Sequence, residues 1–237
     1  MRSRVLILAG TAEARRLCAA VADRDVEASL AGATADPAPL GVPTRRGGFG
    51  GEPAFRAALA DVAAVLDATH PFACAMTARA VRVCVGMGRP YLRLIRPPWP
   101  VRPGCLPARS ATDVAARLSP DARVFLATGP GSLDAFAGRG LAVFCRRIDP
   151  APERDGVTWI VGRPPFDLAY ETALFRDLGI TDLVTKNAGG ATAKLDAAAA
   201  LGLAVHVIER PPSAGGEESH DIRRAIAFVR SHAGPRP

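Results

Sequence analysis

The strongest constraint on this chain is that its pattern of apolar runs occurs twice. VLILAGT, beginning at Val5, has a counterpart in VFLATGP at Val124, and Val65 of VLDAT has one in Val184 of LVTKN, both 119 residues further on. LIRPP at Leu94 and VIERPP at Val207 match at a slightly shorter interval. A spacing kept at separated points implies one structural unit built in tandem. Between the repeats, Arg96 to Arg109 carries Pro97, Pro98, Pro100, Pro103 and Pro107. No helix or central strand accommodates that density, because each proline fixes φ and removes an N–H. The segment is therefore expected to connect an N-terminal domain, residues 1–100, to a C-terminal domain, residues 101–237.

Within each half, short apolar runs alternate with helical patterns, as parallel strands joined by crossover helices require. The expected strands of the first half are Val5–Ala9, Ala28–Ala31, Val65–Thr69 and Tyr91–Leu94. Helices are expected from Glu13 to Ala22, Pro53 to Ala63 and Ala73 to Val85, the first with Ala14, Leu17, Cys18 and Val21 on one face. A last helix, Asp221 to Arg230, carries Ile222, Ala225, Ile226 and Val229 at helical spacing and is expected to pack on the second sheet. The fold class is α/β: two Rossmann-like half-domains with parallel sheets, a tandem duplication, and a ligand cleft between them.

With 49% hydrophobic and 22% charged residues the chain can bury a large core or two modest ones. Val5–Ala9 is too short for a membrane span and runs straight into a charged helical pattern, so a cytoplasmic protein without membrane association is expected. Cys18, Cys74, Cys84, Cys105 and Cys145 form no CxxC pair and no zinc spacing, and are read as buried small apolar residues; no bound metal is expected. The net charge of +7 favours an acidic partner: phosphate, nucleic acid or a small polycarboxylate. An arginine-rich compositional bias competes with that reading, since Lys186 and Lys194 are the only lysines.

In open parallel sheets ligands bind beyond the carboxyl ends of the strands, where loops converge and helix N-termini point free N–H groups outward. Gly10 and Thr11 stand at that edge in the first half, and Thr128, Gly129, Pro130, Gly131 and Ser132 in the second. Each turn can cradle phosphate, although neither is a full GxGxxG and both also suit plain turn chemistry. The residue ending the second strand reports on the ribose, an acid favouring NAD and an arginine favouring NADP. Cys145-Arg146-Arg147 stands there in the second half, whereas Ala31-Gly32-Ala33-Thr34 in the first offers no carboxylate until Asp36. If the nucleotide sits on the second half, NADPH is favoured over NADH, against the competing view of a solvated basic edge; which half carries it is left open by the sequence. His70, after a strand and before Pro71, is placed to donate a proton or bind a carboxylate. Lys186 and Asn187, before Gly189 and Gly190, form the matching edge, either a phosphate or carboxylate holder or a capped helix start.

Arg45-Arg46-Gly47-Gly48-Phe49-Gly50-Gly51 reads as a mobile loop carrying an aromatic plate that closes over a flat ligand. An RNA-binding segment and an ordinary glycine-rich turn are the alternatives; with 5% aromatic residues the chain offers few stacking platforms for RNA, and no nucleic-acid partner is expected.

Taken in order, LILAGTAEAR, RRGGFGG, LDATHPFA, YLRLIRPPW, FLATG, RRIDP, PPFDLAYE and LVTKNAGGATAKLDAA resemble the precorrin-6A reductase family over nearly the whole chain. The resemblance implies an NADPH-dependent reductase that passes hydride to a double bond of a tetrapyrrole macrocycle in cobalamin biosynthesis. Its carboxylates would explain the basic balance. On that reading Gly10, Thr11, Thr128, Gly129, Gly131, Ser132, Arg147, Lys186, Asn187 and Gly189 hold the nucleotide. Arg45, Gly47, Gly48, Phe49, Gly50 and His70 face the macrocycle, with His70 and Lys186 as the catalytic pair. The chain departs from the expected pattern at Pro130, where an arginine is expected, at Pro164, where glycine is, and at Ala188, where serine is. The alternatives are a cobalt-precorrin-6A reductase using NADH and a non-catalytic tetrapyrrole carrier. A monomer or weak oligomer is expected.

Overall fold

A computed structural model describes residues 3–32, 34–100 and 102–236. Ala33, at the expected end of the second strand, and Val101, in the proline-rich connection, lie outside the described residues. The chain forms two units, one from Met1–Pro97 with Pro211–Pro237, the other from Pro98–Arg210.

The first unit contains strands β1 (Arg4–Leu8), β2 (Val26–Leu30), β3 (Thr44–Arg46), β4 (Val62–Asp67) and β5 (Tyr91–Leu94) and helices α1 (Ala12–Ala20), α2 (Glu52–Ala58) and α3 (Cys74–Gly86). The second contains β6 (Cys105–Ala108), α4 (Ala111–Ala115), β7 (Arg123–Leu126), β8 (Ala142–Arg147), β9 (Val157–Val161), α5 (Leu168–Asp177), β10 (Asp182–Lys186), α6 (Ala193–Ala200) and β11 (Ala204–Ile208). The chain then returns to the first unit with β12 (Glu217–Ser219) and α7 (Ile222–His232).

The two sheets run β12-β5-β4-β1-β2-β3 and β6-β11-β10-β7-β8-β9, and every adjacent pair is parallel. Each is a doubly wound order, with β1 central in the first sheet and β7 central in the second, and the direction of winding reverses beside them, at β1/β4 and β7/β10. The central strands are buried on both faces because helices cover them, which explains their unbroken apolar runs. In the first unit Val5, Ile7 and Leu66 pack with Leu17 of α1 and Val229 of α7 on one face. Leu6, Leu8 and Val65 pack with Phe55 of α2 and Val83 of α3 on the other. The second unit buries Phe125, Leu183 and Val205 against Phe175 and Leu195. Phe125 and Phe175 meet edge to face, their centroids 4.9 Å apart, the geometry that the ring quadrupoles favour.

Three expectations require correction. The last helix packs on the first sheet, not the second: β12 pairs with β5 in the register Glu217↔Leu92 to Ser219↔Leu94, and the helix that follows buries Ala225 and Val229 in the first core. A helix pattern identifies a buried face but not its partner, which here is decided by a strand pairing across more than a hundred residues of chain. The domain formed by the first half therefore also contains the tail. The proline-rich connection, second, ends in strand β6; it lies at the sheet edge, where Pro107 can pair with Val207 without an interior ladder on its other side. Third, Cys74 is exposed and Cys105 half-buried, whereas Cys18, Cys84 and Cys145 are buried as expected. Burial pushes these three thiols up, to about 11, 12 and 11 in that order.

Truncation after Arg210 should strip β12 and α7 from the first sheet. Hydrogen-exchange mass spectrometry is expected to show protection lost over residues 4–94 and retained over residues 105–208. Loss confined to the second span would restore the packing expected from the sequence.

Candidate functional site

In the first unit, the carboxyl edge is organised by one buried carboxylate that the sequence reading passed over. Asp67, the last residue of β4, is wholly inaccessible. Its Oδ1 accepts from the Thr69 N–H at 2.9 Å and the Thr69 hydroxyl at 2.6 Å. Oδ2 accepts from the Thr77 hydroxyl at 2.8 Å and from the Tyr91 hydroxyl at 3.0 Å. Arg93 Nε approaches Oδ2 at 4.0 Å, while Arg93 donates to Glu218 at 3.2 Å and to the Pro71 carbonyl at 3.4 Å. Burial, followed by the charge of Asp67, pushes the Tyr91 phenol far above its ordinary value, so it remains a donor. Together these bonds grip the turn from Thr69 to Pro71 at both ends and set the position of His70 between them.

His70 is half-buried. Its Nδ1 accepts from the Phe72 N–H at 3.2 Å, so the neutral ring carries its hydrogen on Nε2. Thr11 caps α1, accepting from Ala14 N–H at 3.1 Å, and donates to the Ala68 carbonyl at 2.9 Å. Its hydroxyl thus ties the first turn to the end of β4. Gly10 precedes it at the end of β1.

The glycine loop is built differently from the expected mobile flap. It begins in an edge strand, β3, and Arg45 holds it together, donating to Ser29 at 2.9 Å and to the carbonyls of Gly47 and Gly48 at 3.1 and 3.2 Å. The guanidinium carbon lies 3.9 Å from the centre of the Phe49 ring, which packs edge to face on Phe55. Arg45 is thus a strut for the loop, and Phe49 is half-buried in its own unit's core rather than standing out as a plate. Gly47 and Gly50 have φ of +99° and +74°, a conformation that side chains disfavour.

A further group at this edge carried no sequence signal. A pocket is lined by Glu13, Arg16, Arg96 and His220 among others. Arg96 pairs with Glu13 at 3.5 Å, and His220 Nδ1 lies 2.6 Å from the Ile95 carbonyl, which as a pure acceptor requires Nδ1 to donate. His220 follows β12, so only the return of the tail brings it here.

In the second unit, the turn after β7 has Gly129 at φ +80°, followed by a 3₁₀ turn over Pro130–Ala135 that contains Gly131 and the buried Ser132. Lys186, ending β10, donates from Nζ to the Thr128 carbonyl at 3.2 Å, placing its ammonium at the switch point between β7 and β10. Thr128 Oγ1 and Arg147 Nε are buried and have no hydrogen-bond partner among the described residues. Such orphaned donors are rare in folded chains and mark places where a ligand or water completes the bonding.

The neighbouring arginines separate into two roles. Arg146 makes a bidentate pair with Glu171, both contacts 2.7 Å, and stacks on Phe125 and Phe166. It is a structural cation rather than part of a solvated edge. Arg147 emerges on the opposite face, over the ring of Trp159. Asn187 also departs from expectation. Its Oδ1 accepts from Trp99 N–H at 2.8 Å, its amide donates to the Trp99 carbonyl at 3.4 Å, and its carbonyl accepts from Arg210 at 2.7 Å. It therefore clamps the two points where the chain enters and leaves this unit. Gly189 and Gly190, at φ +70° and +80°, complete the turn, with the Gly190 carbonyl accepting from Trp99 Nε1 at 2.9 Å.

The profile of the family described as "Precorrin-6x reductase CbiJ/CobK" matches residues 4–230. The chain is 45% identical over 245 residues to a protein from Rhodococcus erythropolis named precorrin-6A reductase, covering 96% of this chain and 97% of that one. It is 42% identical over 240 residues to one of the same name from Mycobacterium tuberculosis, with the same coverage. A solved structure described as "CobK precorrin-6A reductase" superposes with a TM-score of 0.91 at 36% identity, covering 99% of each chain.

Replacing Asp67 by alanine leaves several buried donors without an acceptor, and each such loss costs about 1–3 kcal/mol. Urea unfolding should show Asp67→Ala destabilised by at least that amount and Asp67→Asn, which keeps one carbonyl oxygen, by less. Equal and negligible losses would remove Asp67 from its central place.

Proposed function

The chain belongs to the precorrin-6x reductase family, CbiJ/CobK, and on that footing we propose that it reduces a double bond of precorrin-6A with NADPH, the second unit holding the nucleotide. The observation that carries the placement is the pair of orphaned buried donors, Thr128 Oγ1 and Arg147 Nε, at the ends of adjacent parallel strands. The two relatives' names specify precorrin-6A, which supports the cobalt-free macrocycle as substrate.

The residues present suit NADPH. The turn of Thr128, Gly129, Gly131 and Ser132 offers backbone N–H groups and an unengaged hydroxyl to the pyrophosphate, with Gly129 allowing close approach. Lys186 adds a positive charge at the switch point, beside the flexible turn of Gly189. Arg147, ending the second strand, stands where the ribose is read and meets a 2′-phosphate rather than a 2′-hydroxyl. When bound, NADPH supplies a hydride. The protein positions the acceptor carbon, excludes water and provides a proton. His70 is the proposed donor through Nε2, its orientation fixed by the bond at Nδ1 and by the grip of Asp67 and Arg93 on the surrounding turn. The loop of Gly47, Gly48, Phe49 and Gly50, braced by Arg45, is the proposed macrocycle-facing surface of the first unit. The macrocycle's acidic side chains make the chain's net charge of +7 favourable for capture.

Two measurements test this reading. Titration with NADPH and NADH should show a preference for NADPH that shrinks in Arg147→Ala; no binding of either nucleotide, with or without tetrapyrrole, would favour a carrier. His70→Ala should lower turnover roughly a hundredfold or more, the scale of a lost general acid. Unchanged turnover would dismiss His70 as donor.

A further inference from the structure

Arg146 and Arg147 are consecutive, yet the chain treats them in opposite ways. Arg146 is neutralised by Glu171 in a bidentate pair. Arg147 has no ion-pair partner among the described residues, and its held contact is with an aromatic ring: the guanidinium carbon lies 5.0 Å from the centre of Trp159. The register explains the meeting. Cys145 stands opposite Trp159 and Arg147 opposite Val161 on adjacent parallel strands, so Arg147 and Trp159 are diagonal neighbours on one face. The ring is itself fixed, because Trp159 Nε1 donates to the Pro152 carbonyl at 2.8 Å.

A carboxylate and an aromatic face hold an arginine differently. A bidentate carboxylate engages the in-plane N–H groups and cancels the charge. A ring beneath the guanidinium attracts it through its flat face, leaving the charge uncancelled and in-plane donors directed outward. Nε is buried without a hydrogen-bond partner in both arginines, so what separates them is the Glu171 carboxylate on the Nη groups of Arg146, for which Arg147 has no counterpart among the described residues. We propose that Trp159 is a positioning residue for nucleotide discrimination. It holds Arg147 by its face, so that the guanidinium edge is preset for the dianionic 2′-phosphate that separates NADP(H) from NAD(H). This inference rests on the nucleotide placement given above.

Calorimetric titration of the full chain with 2′,5′-ADP and with 5′-ADP isolates the 2′-phosphate. Trp159→Leu should weaken 2′,5′-ADP roughly three- to thirty-fold, the range of a lost cation–π contact, and leave 5′-ADP unchanged. Trp159→Phe, which restores a ring but not the bond to Pro152, should bind 2′,5′-ADP more tightly than Trp159→Leu. A phenylalanine variant no better than the leucine one would assign the effect to the Pro152 hydrogen bond and overturn the role of the ring. If Trp159→Leu does not fold, Trp159→Met, which keeps apolar bulk without an aromatic face, carries the same expectation. Arg147→Ala separates this inference from the reading beneath it. Preference for 2′,5′-ADP lost in Arg147→Ala but kept in the folded tryptophan variants overturns the part given to Trp159 and leaves the nucleotide placement standing. Preference kept in Arg147→Ala overturns both.

Discussion

All strands in both sheets are parallel, and that single constraint decides where chemistry can occur. Parallel pairing sends every strand of a unit toward the same edge, so residues far apart in sequence finish side by side. Asp67, His70, Arg93 and Glu218 meet in the first unit because β4, β5 and β12 end together. Thr128 and Lys186 meet in the second because β7 and β10 end together, and Arg147 ends β8, the next strand on the other side of β7. Each edge is then stiffened by a buried charge: Asp67 in the first unit, and the Arg146–Glu171 pair in the second. Such groups are costly to bury, so their hydrogen bonds must be satisfied, and satisfying them fixes the turns that carry the candidate chemistry.

Arginine performs two kinds of work in this chain. Arg45, Arg93 and Arg146 act as internal struts, engaged by loop carbonyls, carboxylates and aromatic faces. Arg147 is retained by a ring alone among its described contacts. A net positive charge therefore overstates the number of arginines ready to meet an acidic ligand, and only placement distinguishes them. The same holds for polar groups: the hydroxyls of Thr11 and Thr128 occupy equivalent first turns, but one closes a helix cap while the other is buried without a partner.

The central strand β1 was legible because a helix-covered parallel strand must be apolar along its length, and Val5–Ala9 is. The short strands β3, β9 and β12 were not, since an edge strand is half solvated and its pattern is weak. The destination of the tail was hidden for a related reason: the face of α7 is readable from Ala225 and Val229, whereas its sheet depends on three residues pairing with β5. At the site, strand-end position was a sound guide to Thr128, Arg147 and Lys186. It did not reveal which side chains the fold itself engages, as with Asn187 and Arg45, because those bonds come from Trp99 and from the loop's own carbonyls. Asp67 went unnoticed inside LDATH because a lone acid in an apolar run gives no sign of the four donors that converge on it.

The proposed transfer of hydride from NADPH to precorrin-6A is what everything else about the site depends on. Its most direct test is anaerobic incubation of the purified protein with precorrin-6A and NADPH deuterated at nicotinamide C4 on one face or the other, followed by mass spectrometry of the macrocycle. The account predicts uptake of one hydride and one proton, with deuterium appearing in the product from one of the two labelled faces. A macrocycle recovered at its starting mass, bound but unreduced in the presence of NADPH, would contradict it.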